Sequence, residues 1–95
     1  MKSIVWTHPA QGDLNRIDDH YADFASNYAA KVSRMAVKSA RQLLKFPHLG
    51  PPIGEDDVRK LSVAGTDFLL LYRVTETAIE ILRIRHARED WKPPV

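Results

Sequence analysis

Residues 68–85 have the sequence FLLLYRVTETAIEILRIR, and this stretch decides the fold. Residues 68–74 form an almost continuous apolar run of strand length, which is typical of a central strand covered on both faces. A second apolar run occupies residues 79–85, and only a short polar link separates the two runs. So tight a link predicts a β-hairpin. The stretch therefore predicts two adjacent antiparallel strands.

The segments that precede this hairpin predict two further strands and a loop. The side chains of residues 59–63 alternate as in a half-buried strand. Residues 46–57 are dense in proline, glycine and acidic side chains without a period, so we expect a loop there. At the amino terminus, residues 3–6 are largely β-branched or aromatic and are soon followed by Pro9, which predicts a strand and then a helix.

Two amphipathic helices are predicted between the first strand and the loop. Apolar side chains recur at helical spacing from Ala10, while Asp13, Asp19 and Asp23 are expected on another face. The second helix is expected to use Ser26–Asn27 as capping residues and to end near proline 47. The short break between the helices predicts an antiparallel hairpin. The apolar stripes are Leu14, Ile17, Tyr21 and Phe24 in the first helix and Tyr28, Val32, Met35, Ala36, Leu43 and Phe46 in the second.

The predicted order is strand, helix, helix and three more strands. It indicates an α+β fold in which an N-terminal strand and a three-stranded antiparallel meander form one sheet, with the helical hairpin on one face. A length of 95 residues falls within the range of one domain, so residues 1–95 are expected to form a single domain. The hydrophobic share of 44% and the charged share of 27% are typical of a chain that folds.

The sequence lacks the motifs of several functional classes. It has no cysteine, no nucleophile elbow, no Gly-rich phosphate loop and no dinucleotide fingerprint, so no cofactor is expected. No apolar run approaches the ~18 residues of a membrane span, and no signal peptide is visible, so a cytoplasmic protein is expected. The histidines are scattered without the spacing of a zinc site, and no metal is predicted. They are His8, His20, His48 and His86.

Five cations are predicted to form one stripe on the second helix, with no acidic residue among them. Such a stripe could follow a nucleic-acid backbone or an acidic peptide. Two structural alternatives stay open: the stripe is simply solvated, or it pairs with the aspartates of the first helix. Its members are Lys31, Arg34, Lys38, Arg41 and Lys45.

A second group of cations runs through the last strand and beyond it, with Arg59, Lys60 and Arg73 expected on neighbouring strands. Several arginines could hold phosphates while a histidine moves a proton in metal-free RNA cleavage. Alternatively, the arginines of the last strand pair with Glu80 or Glu89 on an exposed sheet face. The group consists of Arg83, Arg85, His86 and Arg88.

Four segments carry a family resemblance: residues 10–17 (AQGDLNRI), 43–50 (LLKFPHLG), 71–74 (LYRV) and 81–91 (ILRIRHAREDW). In order and spacing they resemble the RelE/ParE superfamily of type II toxins, also called plasmid stabilisation proteins. The resemblance covers nearly the whole chain. It implies a toxin with a cognate antitoxin, whose partly disordered carboxy-terminal segment folds over the toxin by coupled folding and binding.

The resemblance implies two alternative activities. ParE-like members inhibit DNA gyrase and trap cleaved DNA, whereas RelE-like members cut messenger RNA on the ribosome. Residues 86–91 look more like the ParE branch. Leu69 stands about where RelE-like members have an arginine, and Trp91 stands near a catalytic tyrosine of many of them. A gyrase inhibitor is therefore the first hypothesis, and a ribosome-dependent mRNA endonuclease or an inactive, antitoxin-binding homologue is the alternative.

These hypotheses assign three sets of residues. Trp91 is expected either to fold back over the sheet or to anchor an interface. The target-binding set is Arg83, Arg85, His86, Arg88 and Trp91. In the nuclease alternative, phosphate is held by Arg59, Arg73 and Arg88, and the proton is transferred by His86. The expected antitoxin-binding set is Leu14, Ile17, Tyr21, Lys31, Arg34, Lys38 and Arg73.

Overall fold

The computed structural model of the chain describes residues 2–54 and 56–88. Within these residues the strands form one sheet in the order β1-β5-β4-β3-β2. The predicted α+β class, with its helical hairpin and its antiparallel meander, is confirmed. The elements are β1 Ser3–Trp6, α1 His8–Tyr21, α2 Ser26–Lys45, β2 Pro52–Ile53, β3 Val58–Ser62, β4 Phe68–Val74 and β5 Ala78–His86.

The N-terminal strand joins the sheet beside β5. The pairing of β1 with β5 is parallel and runs from Ser3 opposite Ala78 to Trp6 opposite Ile81. The pairings of β5 with β4 and of β4 with β3 are antiparallel, as the short links between them require. The chain between the parallel strands β1 and β5 contains the helical hairpin and then the strands β2, β3 and β4. The hairpin covers one face of the sheet.

The predicted loop over residues 46–57 is wrong at Pro52 and Ile53, which form the edge strand β2. They pair with Arg59 and Val58 of β3. A proline fits here because an edge strand does not need every N–H for the sheet. Two residues show no alternation, so the sequence pattern gave no sign of this strand.

The start of α2 also differs from the prediction. The N-cap is Ala25 and it makes no side-chain capping bond, so the predicted capping role of Ser26–Asn27 is wrong. The reason is a tight turn, in which the Ala25 amide donates to the Tyr21 carbonyl at 2.8 Å and the Ala25 carbonyl accepts from Tyr28 at 3.0 Å. These backbone bonds start the helix one residue earlier and leave Ser26–Asn27 exposed in its first turn.

Two aromatic residues assigned to the apolar helix faces lie outside the helices. Phe24 follows the end of α1 and is 69% exposed, and Phe46 follows the end of α2 and is 61% exposed. The helices end at Tyr21 and Lys45, so neither phenylalanine continues the apolar face of its helix. The predicted positions of both rings are therefore wrong.

The core lies between the helical hairpin and the covered face of the sheet. Small side chains of α2 face the sheet, and this allows the helix to approach it closely. Tyr72 of β4 is fully buried and is one of the largest side chains in the core. The remaining fully buried members include Val32, Ala36, Ala40, Leu43, Leu70, Ile79 and Ile81.

The loop that follows α2 is attached to this core through Tyr72. The Tyr72 hydroxyl donates to the Pro47 carbonyl at 3.0 Å and accepts from the Gly50 amide at 2.9 Å. A Cβ at Gly50 would lie 2.0 Å from the Lys60 carbonyl oxygen, so only glycine allows this approach. Burial raises the pKa of the Tyr72 hydroxyl, which keeps it protonated for both bonds.

Candidate functional site

A buried aspartate organises the junction between α1 and the sheet. Asp13 is 4% exposed, although we predicted it on a polar face. That prediction is wrong, because Asp13 shares the buried face with Ala10 and Ile17 at i, i+3 and i+7 spacing. Its carboxylate accepts from Arg83 Nε at 2.8 Å and Nη2 at 2.9 Å, and from the Ile84 amide at 2.9 Å. Arg16 donates to the same carboxylate.

The geometry of β5 explains why a carboxylate belongs at this point. The pairing with β1 stops at Ile81, and the register between β5 and β4 shifts so that Leu82 is the extra residue of a bulge. Beyond Ile81 the edge of β5 faces α1 instead of a strand. Thr7, the N-cap of α1, donates its hydroxyl hydrogen to the Ile81 carbonyl at 2.8 Å. Thr7 and Asp13 thus supply the hydrogen bonds that a neighbouring strand would have made.

Opposing effects act on the Asp13 carboxylate. Burial alone raises its pKa, but the hydrogen bonds from Arg83 and the Ile84 amide and the charge of Arg83 outweigh burial and lower the pKa overall. The group is therefore ionised at neutral pH. The described partner of Arg83 is Asp13 instead of the predicted Glu80, and the other predicted partner, Glu89, lies outside the described residues.

Three of the five residues predicted to bind the target lie at the end of β5. Arg85 and His86 are the last residues of the strand and are partly exposed, and Arg88 is exposed just beyond it. The His86 ring packs on Phe68 with centroids 5.2 Å apart, and its Nδ1 accepts from the Arg88 amide at 3.2 Å. Arg83 lies nearer the middle of the strand, and Trp91 lies outside the described residues.

The residues of the nuclease alternative do not converge. Arg59 is opposite Tyr72, on the face covered by the helices, and its guanidinium donates to the Gly50 carbonyl at 2.8 Å. Arg73 is the next residue along β4, so its side chain belongs to the other face. In the register between β4 and β5, Arg73 lies opposite Glu80, whereas His86 lies six residues further along β5. At about 3.4 Å per residue, roughly 20 Å separates the two positions.

The residues expected to bind the antitoxin are distributed over three surfaces. Three of them pack on or into the core through α1: Leu14, Ile17 and Tyr21. Three are exposed on the outer face of α2: Lys31, Arg34 and Lys38. The seventh, Arg73, lies on the sheet face away from the hairpin. A single partner would have to wrap around the chain to reach all three surfaces.

The stripe of cations on α2 has no carboxylate partner within the described part of the chain. All five side chains are exposed. Ion pairs between described residues join only Asp13 to Arg16 and to Arg83. The alternative in which the stripe pairs with aspartates of α1 is therefore not observed there. The outer face of α2 presents positive charge to the solvent.

The described residues include neither a cluster of metal ligands nor a membrane-spanning helix. They contain no group of three or more histidine, aspartate or glutamate side chains that could hold a metal ion. Neither α1 nor α2 has the length and apolar character of a bilayer-spanning helix. The candidate site consists of Arg85, His86 and Arg88 at the end of β5.

Comparison with known proteins identifies the family. Residues 4–91 match the model of the ParE toxin of the type II toxin-antitoxin system parDE. The chain is 31% identical to a solved structure of the chromosomal ParDE system of P. aeruginosa, with a TM-score of 0.77 over 90% of this chain and 96% of that one. The chain therefore belongs to the ParE toxin family, within the RelE/ParE superfamily that the sequence resembled.

Other solved toxins share the fold at lower identity. The RelBE2 toxin–antitoxin complex of Mycobacterium tuberculosis is 22% identical, with a TM-score of 0.59 over 90% of this chain and 96% of that one. YafQ from E. coli is 17% identical, with a TM-score of 0.58 over 90% and 93% of the two chains. These likenesses concern the fold alone. A comparison with curated proteins gave no match.

Proposed function

We propose that this ParE-family toxin inhibits DNA gyrase in the cytoplasm by binding and that it does not itself catalyse a reaction. The observation that carries the proposal is the placement of the cations. Arg85 and Arg88 lie beside His86 at the end of β5, whereas Arg59 and Arg73 belong to opposite faces of the sheet and Arg73 lies roughly 20 Å from His86 along the strands. Such an arrangement supports a binding surface more than a catalytic centre, which needs its groups within about 3 Å of the reacting atoms.

Family membership supports gyrase as the target, because the ParE branch of the superfamily implies that activity. The alternative, a ribosome-dependent mRNA endonuclease, is the activity that the RelE branch implies. The likeness to YafQ and RelBE2 lies below 25% identity and reflects a shared fold. We place the gyrase hypothesis first for that reason.

The second part of the proposal is a cognate antitoxin that neutralises the toxin. The helix α2 carries five basic and no acidic side chains and leaves Val37 and Leu44 substantially exposed. An acidic, amphipathic segment complements such a face in both charge and apolar area. Because the expected antitoxin-binding residues lie on three surfaces, we propose a segment that wraps around the toxin.

The test of the proposed function is a supercoiling assay. Purified gyrase, ATP and relaxed plasmid are incubated with increasing amounts of the toxin, and ribosome-bound mRNA is incubated with the toxin in parallel. The proposal predicts inhibited supercoiling, trapped cleaved DNA and intact RNA. Unaffected gyrase together with cut mRNA would contradict it and favour the endonuclease. Inactivity in both assays would favour the inactive, antitoxin-binding homologue.

A further inference from the structure

A groove with both cationic and aromatic walls lies between α1 and the ends of β4 and β5. Its volume is about 390 Å³, which falls within the size range of small-ligand sites. From α1, Arg16 and His20 reach it from exposed positions four residues apart on the same side of the helix. Its lining residues are Asp13, Arg16, Ile17, His20, Tyr21, Phe68, Ile84, Arg85 and His86.

The charge of this groove is positive although an aspartate lines it. Both carboxylate oxygens of Asp13 already accept hydrogen bonds from Arg83, one of them also from Arg16 and the other from the Ile84 amide. The Arg16 side chain is 66% exposed, and a guanidinium has five N–H donors. The hydrogen bond from Arg16 to Asp13 therefore leaves other N–H donors of the Arg16 guanidinium available to the groove or the solvent. An anion in the groove would meet positive charge.

A connected series of aromatic side chains links the α1 side of the groove to its sheet side. The His20 ring contacts Tyr21 edge to face at 4.7 Å, and Tyr21 contacts Tyr28 at 5.1 Å. Tyr28 in turn contacts Phe68 at 6.4 Å, and Phe68 contacts His86 at 5.2 Å. A nucleobase stacks on such rings with about 1–3 kcal/mol per base. An acidic peptide would use the cations but would gain less from these rings.

We propose that this groove binds one nucleotide of single-stranded DNA, with the phosphate at Arg16 and Arg85 and the base against His20 and Tyr21. Arginine and an aromatic wall are the combination that recognises single strands without reading their sequence. The inference extends the proposed function, since it makes the DNA held by gyrase a direct ligand of the toxin. Binding is nevertheless measurable without gyrase, so either idea can fail alone.

The experiment is a fluorescence anisotropy titration of the whole chain with a labelled oligothymidylate of about ten nucleotides. The groove variant is Arg16→Gln/His20→Ala, which changes two exposed side chains. The matched control is Arg41→Gln/Lys45→Gln, which removes at least as much positive charge from the outer face of α2. Thermal unfolding of each variant reports whether it is folded.

The proposal predicts that the groove variant binds the oligonucleotide about tenfold more weakly and the control less than about twofold more weakly. In the wild type, the ring resonances of His20 and Tyr21 should shift on binding, a readout that requires no variant. Equal losses in both variants would indicate diffuse electrostatic attraction and overturn the proposal. Absence of binding by the wild type, or equal displacement by a glutamate-rich peptide, would overturn it as well.

Discussion

At the scale of single residues, Asp13 is the side chain on which the junction of α1 and β5 depends. It is nearly fully buried, and it accepts hydrogen bonds from Arg83, from Arg16 and from the Ile84 amide. Removing one partner of a buried ion pair leaves the other without compensation. The side chain of Arg83 is one third exposed, so water partly offsets such a loss.

We expect Asp13→Asn to lower the free energy of unfolding by about 2 kcal/mol, because the charged acceptor of the Arg83 guanidinium is lost. Urea denaturation followed by circular dichroism measures the change. Asp18→Asn is a suitable control, since Asp18 is an exposed aspartate of the same helix. Equal stabilities of the two variants would contradict the role given to Asp13.

The pH dependence of stability should carry the signature of the same group. In the folded chain the pKa of Asp13 lies below its ordinary value of 3.8. The folded state therefore binds fewer protons than the unfolded state near that pH, and the stabilisation is present above it and lost as pH falls through the folded-state pKa. Below pH 4 the wild type should lose stability more steeply than Asp13→Asn. Parallel curves for the two proteins would contradict this expectation.

Substitution of His86 distinguishes gyrase inhibition by binding from RNA cleavage. If the toxin acts by binding, His86→Ala should weaken gyrase inhibition by less than about tenfold, because one partly exposed ring is lost from a larger surface. If His86 transferred a proton, the rate of RNA cleavage would fall by about 10²–10⁴ while ribosome binding stayed intact. The concentration for half-inhibition of supercoiling and the single-turnover RNA cleavage rate measure the two effects.

At the scale of elements, the fold shows which patterns in a sequence determine structure. The hairpin of β4 and β5 and the two helices follow from local periodicity, and the structure agrees with them. The strand β2 depends on its pairing with β3, and the boundary between α1 and α2 depends on the backbone hydrogen bonds of the turn around Ala25. Such contacts leave no periodic signal in the sequence.

The site was predictable to a smaller extent than the fold. The concentration of cations in and after β5 is visible in the sequence. The burial of Asp13 is not, because it depends on where β1 stops and on the bulge at Leu82. Likewise, the opposite orientations of Arg59 and Arg73 follow from the register of β3 with β4, which alternation within one strand does not fix.

The attachment of the loop after α2 gives a prediction at the scale of elements. Tyr72→Phe removes the hydroxyl that bonds to Pro47 and Gly50, and it leaves two backbone groups without that partner. We expect a loss of about 1–3 kcal/mol in unfolding free energy and faster hydrogen exchange at the Gly50 amide. Tyr28→Phe, which removes a more exposed hydroxyl, should cost less. A larger effect in Tyr28→Phe would contradict this assignment.

At the scale of the whole molecule, the structure presents positive charge in two regions. One is the end of β5 with Arg85 and Arg88, and the other is the outer face of α2. We propose the first for the target and the second for part of the antitoxin contact. Neutralising charge at the end of β5 should therefore weaken binding to the target more than binding to the antitoxin, and neutralising charge on α2 should have the opposite effect.

The most direct test of the central claim is the supercoiling assay with charge variants. Arg85→Gln/Arg88→Gln neutralises the end of β5, and Arg41→Gln/Lys45→Gln neutralises two cations of α2 as the control. We predict that the first variant needs at least about tenfold more toxin for half-inhibition of gyrase, whereas the control stays within about twofold of the wild type. Equal potency of the two variants would contradict the claim that the end of β5 binds the target.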